Sequence, residues 1–128
     1  MKTLKKTVYL VDDNITNLTI GSSALEGAYN VVTFNSGARL IKALTASANA
    51  GRHLPNVVLL DVNMPEMDGY EVIARLKSID ELKHIPVIFL TATINEDEKA
   101  KGIKLGAADY VTKPFAAKLL IETINRHL

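Results

Sequence analysis

The sequence contains no cysteine, which excludes disulfides and thiol-based catalysis. It also lacks a dominant charge. Fifteen lysines and arginines stand against 14 aspartates and glutamates, a formal net charge of +1. The composition therefore argues for neither a nucleic-acid nor an anionic-membrane partner. No apolar run approaches the ~20 residues that span a bilayer. Lys2, Lys5 and Lys6 superficially resemble the start of a signal peptide, but the apolar run from Val8 to Val11 is too short and ends in two aspartates. A cytoplasmic location is the default expectation. Linkers, low-complexity tracts and internal repeats are missing as well. His53, His84 and His127 share no metal-ligand spacing and are expected to be solvated. What remains is a chain of 128 residues, 48% hydrophobic and 23% charged, enough for one globular domain over 1–128 with a real core.

The apolar segments alternate in kind. Val8-Tyr9-Leu10-Val11, Val57-Val58-Leu59-Leu60 and Val87-Ile88-Phe89-Leu90 are unbroken, as in strands buried on both faces. Val31 to Phe34 and Asp109 to Thr112 read as strands at the edges. Between them run helical patterns: Ile15, Leu18, Ser22, Leu25 and Tyr29; Leu40, Ile41, Leu44 and Ala48; Val72, Ile73, Leu76 and Ile79; and, last, Leu120, Ile121, Ile124 and Leu128. Gly21 costs its helix about 1 kcal/mol against alanine, so packing must compensate. Asp68 with Glu71 and Asn95 with Glu98 have capping-box spacing. The helix after Asn95 is poor in apolar anchors and contains Gly102. Strict βα alternation with right-handed crossovers predicts a flavodoxin-like α/β/α sandwich on a five-stranded parallel sheet, doubly wound in the order 2-1-3-4-5.

In such a sheet the carboxyl ends of the strands share one edge, where ligands bind. Those ends carry Asp12-Asp13, Asp61, Thr91 and Lys113. Singly, each has a plain explanation: an aspartate of the pair capping a helix, Asp61 ending a strand, Lys113 solvated, Thr91 a strand residue. One of Asp12 and Asp13 is expected to cap the helix as well as serve the site. Together on one edge they describe a site for a single phosphoryl group. Three close carboxylates repel unless a cation joins them. Carboxylates with few other ligands suit Mg²⁺, with Mn²⁺ as an acceptable replacement. Lys113 neutralises phosphate oxygens, Thr91 donates a hydroxyl, and Asp61, on the middle strand, is the nucleophile. Lys113 faces acids and supports no core, so it is expected to matter for phosphate handling rather than for folding.

At these residues the chain resembles the receiver domains of two-component response regulators. The features that carry the resemblance are Val11-Asp12-Asp13-Asn14, Leu60-Asp61-Val62-Asn63-Met64-Pro65-Glu66-Met67-Asp68-Gly69, Leu90-Thr91-Ala92 and Asp109-Tyr110-Val111-Thr112-Lys113-Pro114-Phe115. It extends over essentially the whole chain. It implies that Asp61 accepts a phosphoryl group from a histidine kinase or histidine phosphotransfer protein. It implies Mg²⁺ held by Asp12, Asp13, Asp61 and the main-chain carbonyl of Asn63, and phosphate contacts from Thr91, Ala92 and Lys113. Thr91 and Tyr110 match the family's switch pair. Pro114 matches a position usually preceded by a cis bond, against about 5–6% of X-Pro bonds generally. Asn63 and Thr93 match positions that tune dephosphorylation. The resemblance further implies an output domain or a receiver homodimer engaged through the face of the fourth helix, fifth strand and fifth helix, with no direct nucleic-acid or membrane binding and no catalysis beyond the domain's own phosphoryl transfer and slow autodephosphorylation.

A haloacid-dehalogenase-like aspartyl-phosphate phosphatase is the alternative from a different class, since it too uses a strand-tip Asp, a Thr, a Lys and Mg²⁺. That family places a second Asp two residues after the nucleophile, where this chain has Asn63, and no segment is long enough for a cap domain. The wording from Ile85 to Ala92 and from Gly106 to Tyr110 is also similar to receivers joined to cyclic-dinucleotide enzymes.

Overall fold

A computed structural model describes residues 5–92 and 95–128; Lys2 and Thr93 of the positions named above lie outside them. The element order is β1 (Thr7–Val11), α1 (Ile15–Leu25), β2 (Asn30–Phe34), α2 (Gly37–Asn49), β3 (Val57–Asp61), α3 (Gly69–Lys77), β4 (Val87–Thr91), α4 (Glu96–Leu105), β5 (Asp109–Thr112) and α5 (Ala117–Asn125). All pairings are parallel and the sheet runs β2-β1-β3-β4-β5. Every residue of β3 and β4 is buried, whereas β2 is largely open to solvent. The unbroken apolar runs are thus central because helices cover both of their faces.

The pleat of the strands separates two cores. On one face Val11, Val58, Leu60, Val87 and Phe89 pack with Leu40 and Leu44 of α2 and with Val72, Ile73 and Leu76 of α3. On the other, Val8, Leu10, Leu59, Ile88, Leu90 and Val111 pack with Leu18 and Leu25 of α1 and Leu120 and Ile124 of α5. Gly21 lies buried on α1 because a Cβ there would come within 2.7 Å of Leu10 Cδ2. The close approach of α1 to β1 is the compensation its helix propensity requires. Among the described residues no helix is long and apolar enough to cross a membrane.

Four local expectations change. Ile15, the first residue of α1, is 73% exposed, and Leu128, beyond α5, is 49% exposed; each falls at a helix end, where the apolar stripe runs past the sheet. The cap of α1 is Asn14, whose side chain accepts from the Asn17 amide, so neither Asp12 nor Asp13 is the helix cap. Asp68 caps α3 by accepting from the Glu71 amide, but the Glu71 carboxylate pairs with Arg75 at 3.3 Å. Finally, His127 is not simply solvated: its Nε2 lies 3.0 Å from Asp109 Oδ2, beside Arg126 at 3.6 Å. Burial raises the Asp109 pKa, but His127, the Tyr110 amide and Arg126 together hold it below the ordinary carboxylate value.

Candidate functional site

The site forms where β1, β3, β4 and β5 end. Asp12 follows β1, and Asp61 is the last residue of β3; their exposures are 2% and 5%. Asp13, next along the chain, is exposed. One carboxylate oxygen from each of Asp12, Asp13 and Asp61 falls within 4.8 Å of the others. These three side chains offer oxygen donors only, two buried and one facing solvent, and could hold a hard cation.

Loop geometry turns these acids toward one another. The Asn14 amide donates to Asp12 Oδ1 at 2.9 Å, and the Asn63 amide donates to Asp61 Oδ1 at 3.3 Å. After Asn63, whose side chain is exposed, the chain turns sharply at Glu66, a non-glycine residue with φ 66°. The Met67 amide donates to the Pro65 carbonyl at 2.7 Å across it. This is the tight three-residue turn that a positive φ permits. Gly69 then starts α3 directly against the strand end: a Cβ there would lie 2.7 Å from the Asp61 carbonyl oxygen. Glycine at this position lets α3 sit close under Asp61.

Lys113 reaches the acids from the loop after β5. Its Nζ donates to Asp12 Oδ2 at 2.8 Å and lies 3.2 Å from Asp61 Oδ1. Burial lowers its pKa, but the hydrogen bond to Asp12 and the charges of Asp61 and Asp12 outweigh that and hold the ammonium above the ordinary lysine value. Burial and the neighbouring Asp12 push Asp61 up to about 6, although Lys113 and the Asn63 amide oppose them. Asp61 is therefore mostly ionised at neutral pH, and costly to keep so. The peptide bond between Lys113 and Pro114 is cis.

Thr91 is the last residue of β4 and is buried, and Ala92 beyond it is exposed. Because side chains alternate along a strand, Thr91 and Phe89 share the sheet face that α4 covers, and Tyr110 pairs with Phe89 across the ladder. The Tyr110 ring is turned away from the acids. Its hydroxyl donates to the Glu98 carbonyl of α4 at 3.1 Å and lies 3.4 Å from that of Lys99. Tyr70, which the sequence did not single out, lies beside it: its hydroxyl donates to the same Glu98 carbonyl at 3.3 Å. Its signal is faint, an aromatic residue one position after the Gly69 that brings α3 against the sheet. The structure thus gathers Asp12, Asp13, Asp61 and Lys113 at one point, with Thr91 and Ala92 at the adjoining strand end. It leaves Tyr110 on α4. His53 and His84 are exposed and away from the site elements.

The response regulator receiver domain profile matches residues 8–125. A probable cyclic di-GMP phosphodiesterase of Vibrio cholerae is 38% identical over 95% of the chain, which spans only 26% of that protein. The chemotaxis protein CheY4 of Vibrio cholerae superposes with a TM-score of 0.84 at 30% identity, over 97% of this chain and 99% of the other. The Mn²⁺-bound form of the response regulator Rcp1 superposes with a TM-score of 0.75 at 28% identity, over 94% of this chain and 90% of that one. The chain therefore spans about a quarter of one relative and nearly all of another. By its profile, its sheet order and its acidic strand ends, the chain belongs to the receiver domain family of two-component response regulators.

Proposed function

We propose that residues 1–128 act as one receiver domain, in which Asp61 accepts a phosphoryl group from a histidine kinase or histidine phosphotransfer protein in a Mg²⁺-dependent reaction. The observation that carries this reading is the meeting of three carboxylates within 4.8 Å, with Lys113 joined to two of them. An Asp61 oxygen attacks phosphorus, the phosphorus–nitrogen bond to the donor histidine breaks, and the leaving imidazole takes up a proton. Asp61 must be ionised to attack, and a pKa of about 6 leaves it so at neutral pH. When bound to Asp12, Asp13, Asp61 and the Asn63 carbonyl, the metal ion would neutralise phosphoryl oxygens. Lys113 and the Thr91 hydroxyl serve the remaining oxygens, with the exposed Ala92 leaving room for the group.

The acyl phosphate then biases the α4–β5–α5 face. It adds roughly −1.5 to −2 charge and strong acceptors, and Thr91 turns toward it. Tyr110, now held on α4, rotates inward beside Thr91. Only Gly102 of α4 is buried, so few apolar contacts resist a shift of that helix. The moved face meets an output domain or a second receiver. Relatives of both small and large size accord with either arrangement.

Acetyl phosphate supplies the test. The protein should gain one acid-labile phosphate by intact mass in the presence of Mg²⁺ and none in chelator. Continuous turnover of added phosphoesters would instead support a haloacid-dehalogenase-like phosphatase, a reading for which Asn63 supplies no second carboxylate.

A further inference from the structure

We propose that the open edge of β2, lying in the groove between α1 and α2, docks an extended acidic peptide segment of a partner, one that alternates apolar and acidic side chains. β2 and β5 are the two outer strands of the sheet, so this edge lies opposite the α4–β5–α5 face.

Among the described residues β2 pairs only with β1. The Asn30 amide donates to the Lys6 carbonyl at 2.9 Å, and the Phe34 carbonyl accepts from the Asp12 amide at 3.1 Å. Backbone direction alternates along a strand, so Asn30, Val32 and Phe34 face β1. The N–H and C=O groups of Val31 and Thr33 therefore point away from the sheet. Such an edge is a template for a further strand unless charge, proline or a bulge blunts it. Here it reads Asn30-Val31-Val32-Thr33-Phe34, with neither charge nor proline, and Val32 is 41% exposed.

Ile15 and Thr19 of α1, Arg39 and Lys42 of α2, and Thr33 and Phe34 of β2 line an open groove of about 1250 Å³. Its two walls differ. On the α1 side Ile15 is 73% exposed, and the one acid of the lining, Glu26, stands just past the helix end. On the α2 side Arg39 and Lys42 are exposed, and neither has an acidic partner among the described residues. α1 and α2 cover opposite faces of the sheet, and the side chains of an added strand alternate between those faces. One set lies by Ile15 and Thr33, which suits valine or isoleucine. The other lies over Val32, which shares the face of Phe34, and reaches toward Arg39 and Lys42. Glutamate suits that set, since its methylenes cover the valine while its carboxylate meets a cation. Main-chain bonds to Val31 and Thr33 then supply affinity, and the alternating side chains supply selectivity.

The probe is a synthetic hexapeptide of alternating valine and glutamate with blocked ends, titrated into the whole isotope-labelled chain and followed by amide NMR. Saturable shifts are expected at the Val31 and Thr33 amides, with roughly millimolar or tighter affinity. Arg39→Glu combined with Lys42→Glu is expected to weaken binding roughly tenfold, because two exposed ion pairs become repulsions. The same variant should bind the matching valine–lysine peptide more tightly than the parent does. Both substituted positions are exposed, so the fold is retained. N-methylation of one alternate set of peptide nitrogens should abolish binding and that of the other set should leave it, since an added strand bonds along one side only. An absence of shifts at Val31 and Thr33, or equal binding of the two peptides by parent and variant, would overturn the proposal. Concentration-dependent shifts of these amides without peptide would also overturn it, by assigning the edge to a second copy's β2.

Discussion

Replacing Lys113 with alanine is expected to lower the thermal midpoint of the metal-free protein by roughly 10 °C near neutral pH. Asp12 and Asp61 are 2% and 5% exposed, and among the described residues Lys113 is the cation that reaches both. Removing one side of a buried ion pair costs several kcal/mol because the opposite charge is left without a partner. Here Asp61, already at about 6, takes up a proton readily, so the loss is held to about 2–3 kcal/mol, some 3–5 °C per kcal/mol for a domain of this size. The sequence suggested that a strand-tip lysine supports no core and matters little for folding. It makes no apolar core, but it neutralises two buried acids, and that is a folding contribution. Mg²⁺ should restore most of the loss, since a divalent cation on the same carboxylates replaces the missing charge. Circular dichroism melts with and without Mg²⁺ check this. A metal-free midpoint equal to the parent's would show that the two ion pairs contribute nothing net.

The opposite sign is expected for Asp61→Asn. Burial and Asp12 raise the Asp61 pKa from 3.8 to about 6, so the native state binds this proton more tightly than the unfolded chain does. That contribution to stability is fully present below about pH 4 and is lost as pH rises through about 6. At neutral pH the ionised carboxylate opposes folding by up to about 3 kcal/mol, at ~1.4 kcal/mol per unit of pKa. Asparagine has the same shape and no charge, and the value of about 6 already includes the opposing pull of Lys113. The gain in metal-free buffer at neutral pH is therefore put at up to about 3 kcal/mol, a midpoint several degrees higher. It should shrink toward zero as the pH is lowered to about 4. With Mg²⁺ the parent should recover or overtake the variant, because the parent's third carboxylate binds the ion. Urea titrations at neutral and acidic pH measure both effects; a variant less stable than the parent in chelator at neutral pH would show that Asp61 is not under the electrostatic strain described.

Much of this architecture is legible in the sequence for a specific reason. Parallel strands covered on both faces must be apolar at successive positions, so β1, β3 and β4 announce themselves as unbroken runs, and their tips follow by counting. Asp61 and Thr91 are the last residues of their strands in the structure. The tightness of the acidic cluster is less legible. It depends on Asn14 rather than an aspartate capping α1, and on Gly69 and the Glu66 turn bringing α3 beneath the strand end. Least legible are contacts between side chains far apart in sequence. The Asp109–His127 pair joins the start of β5 to the residues after α5, and the shared Glu98 carbonyl joins α3, α4 and β5. No periodicity encodes such meetings. They follow only once the helices are laid against the sheet, which is why the sequence does not single out Tyr70 and reads His127 as a solvated residue.

The claim that Asp61 is the phosphoacceptor meets its most direct test in the intact mass of the parent and of Asp61→Asn after incubation with acetyl phosphate and Mg²⁺. The expected result is one acid-labile phosphate on the parent and none on the variant. A variant that still gains an acid-labile phosphate, on Asp12, Asp13 or elsewhere, would contradict the assignment.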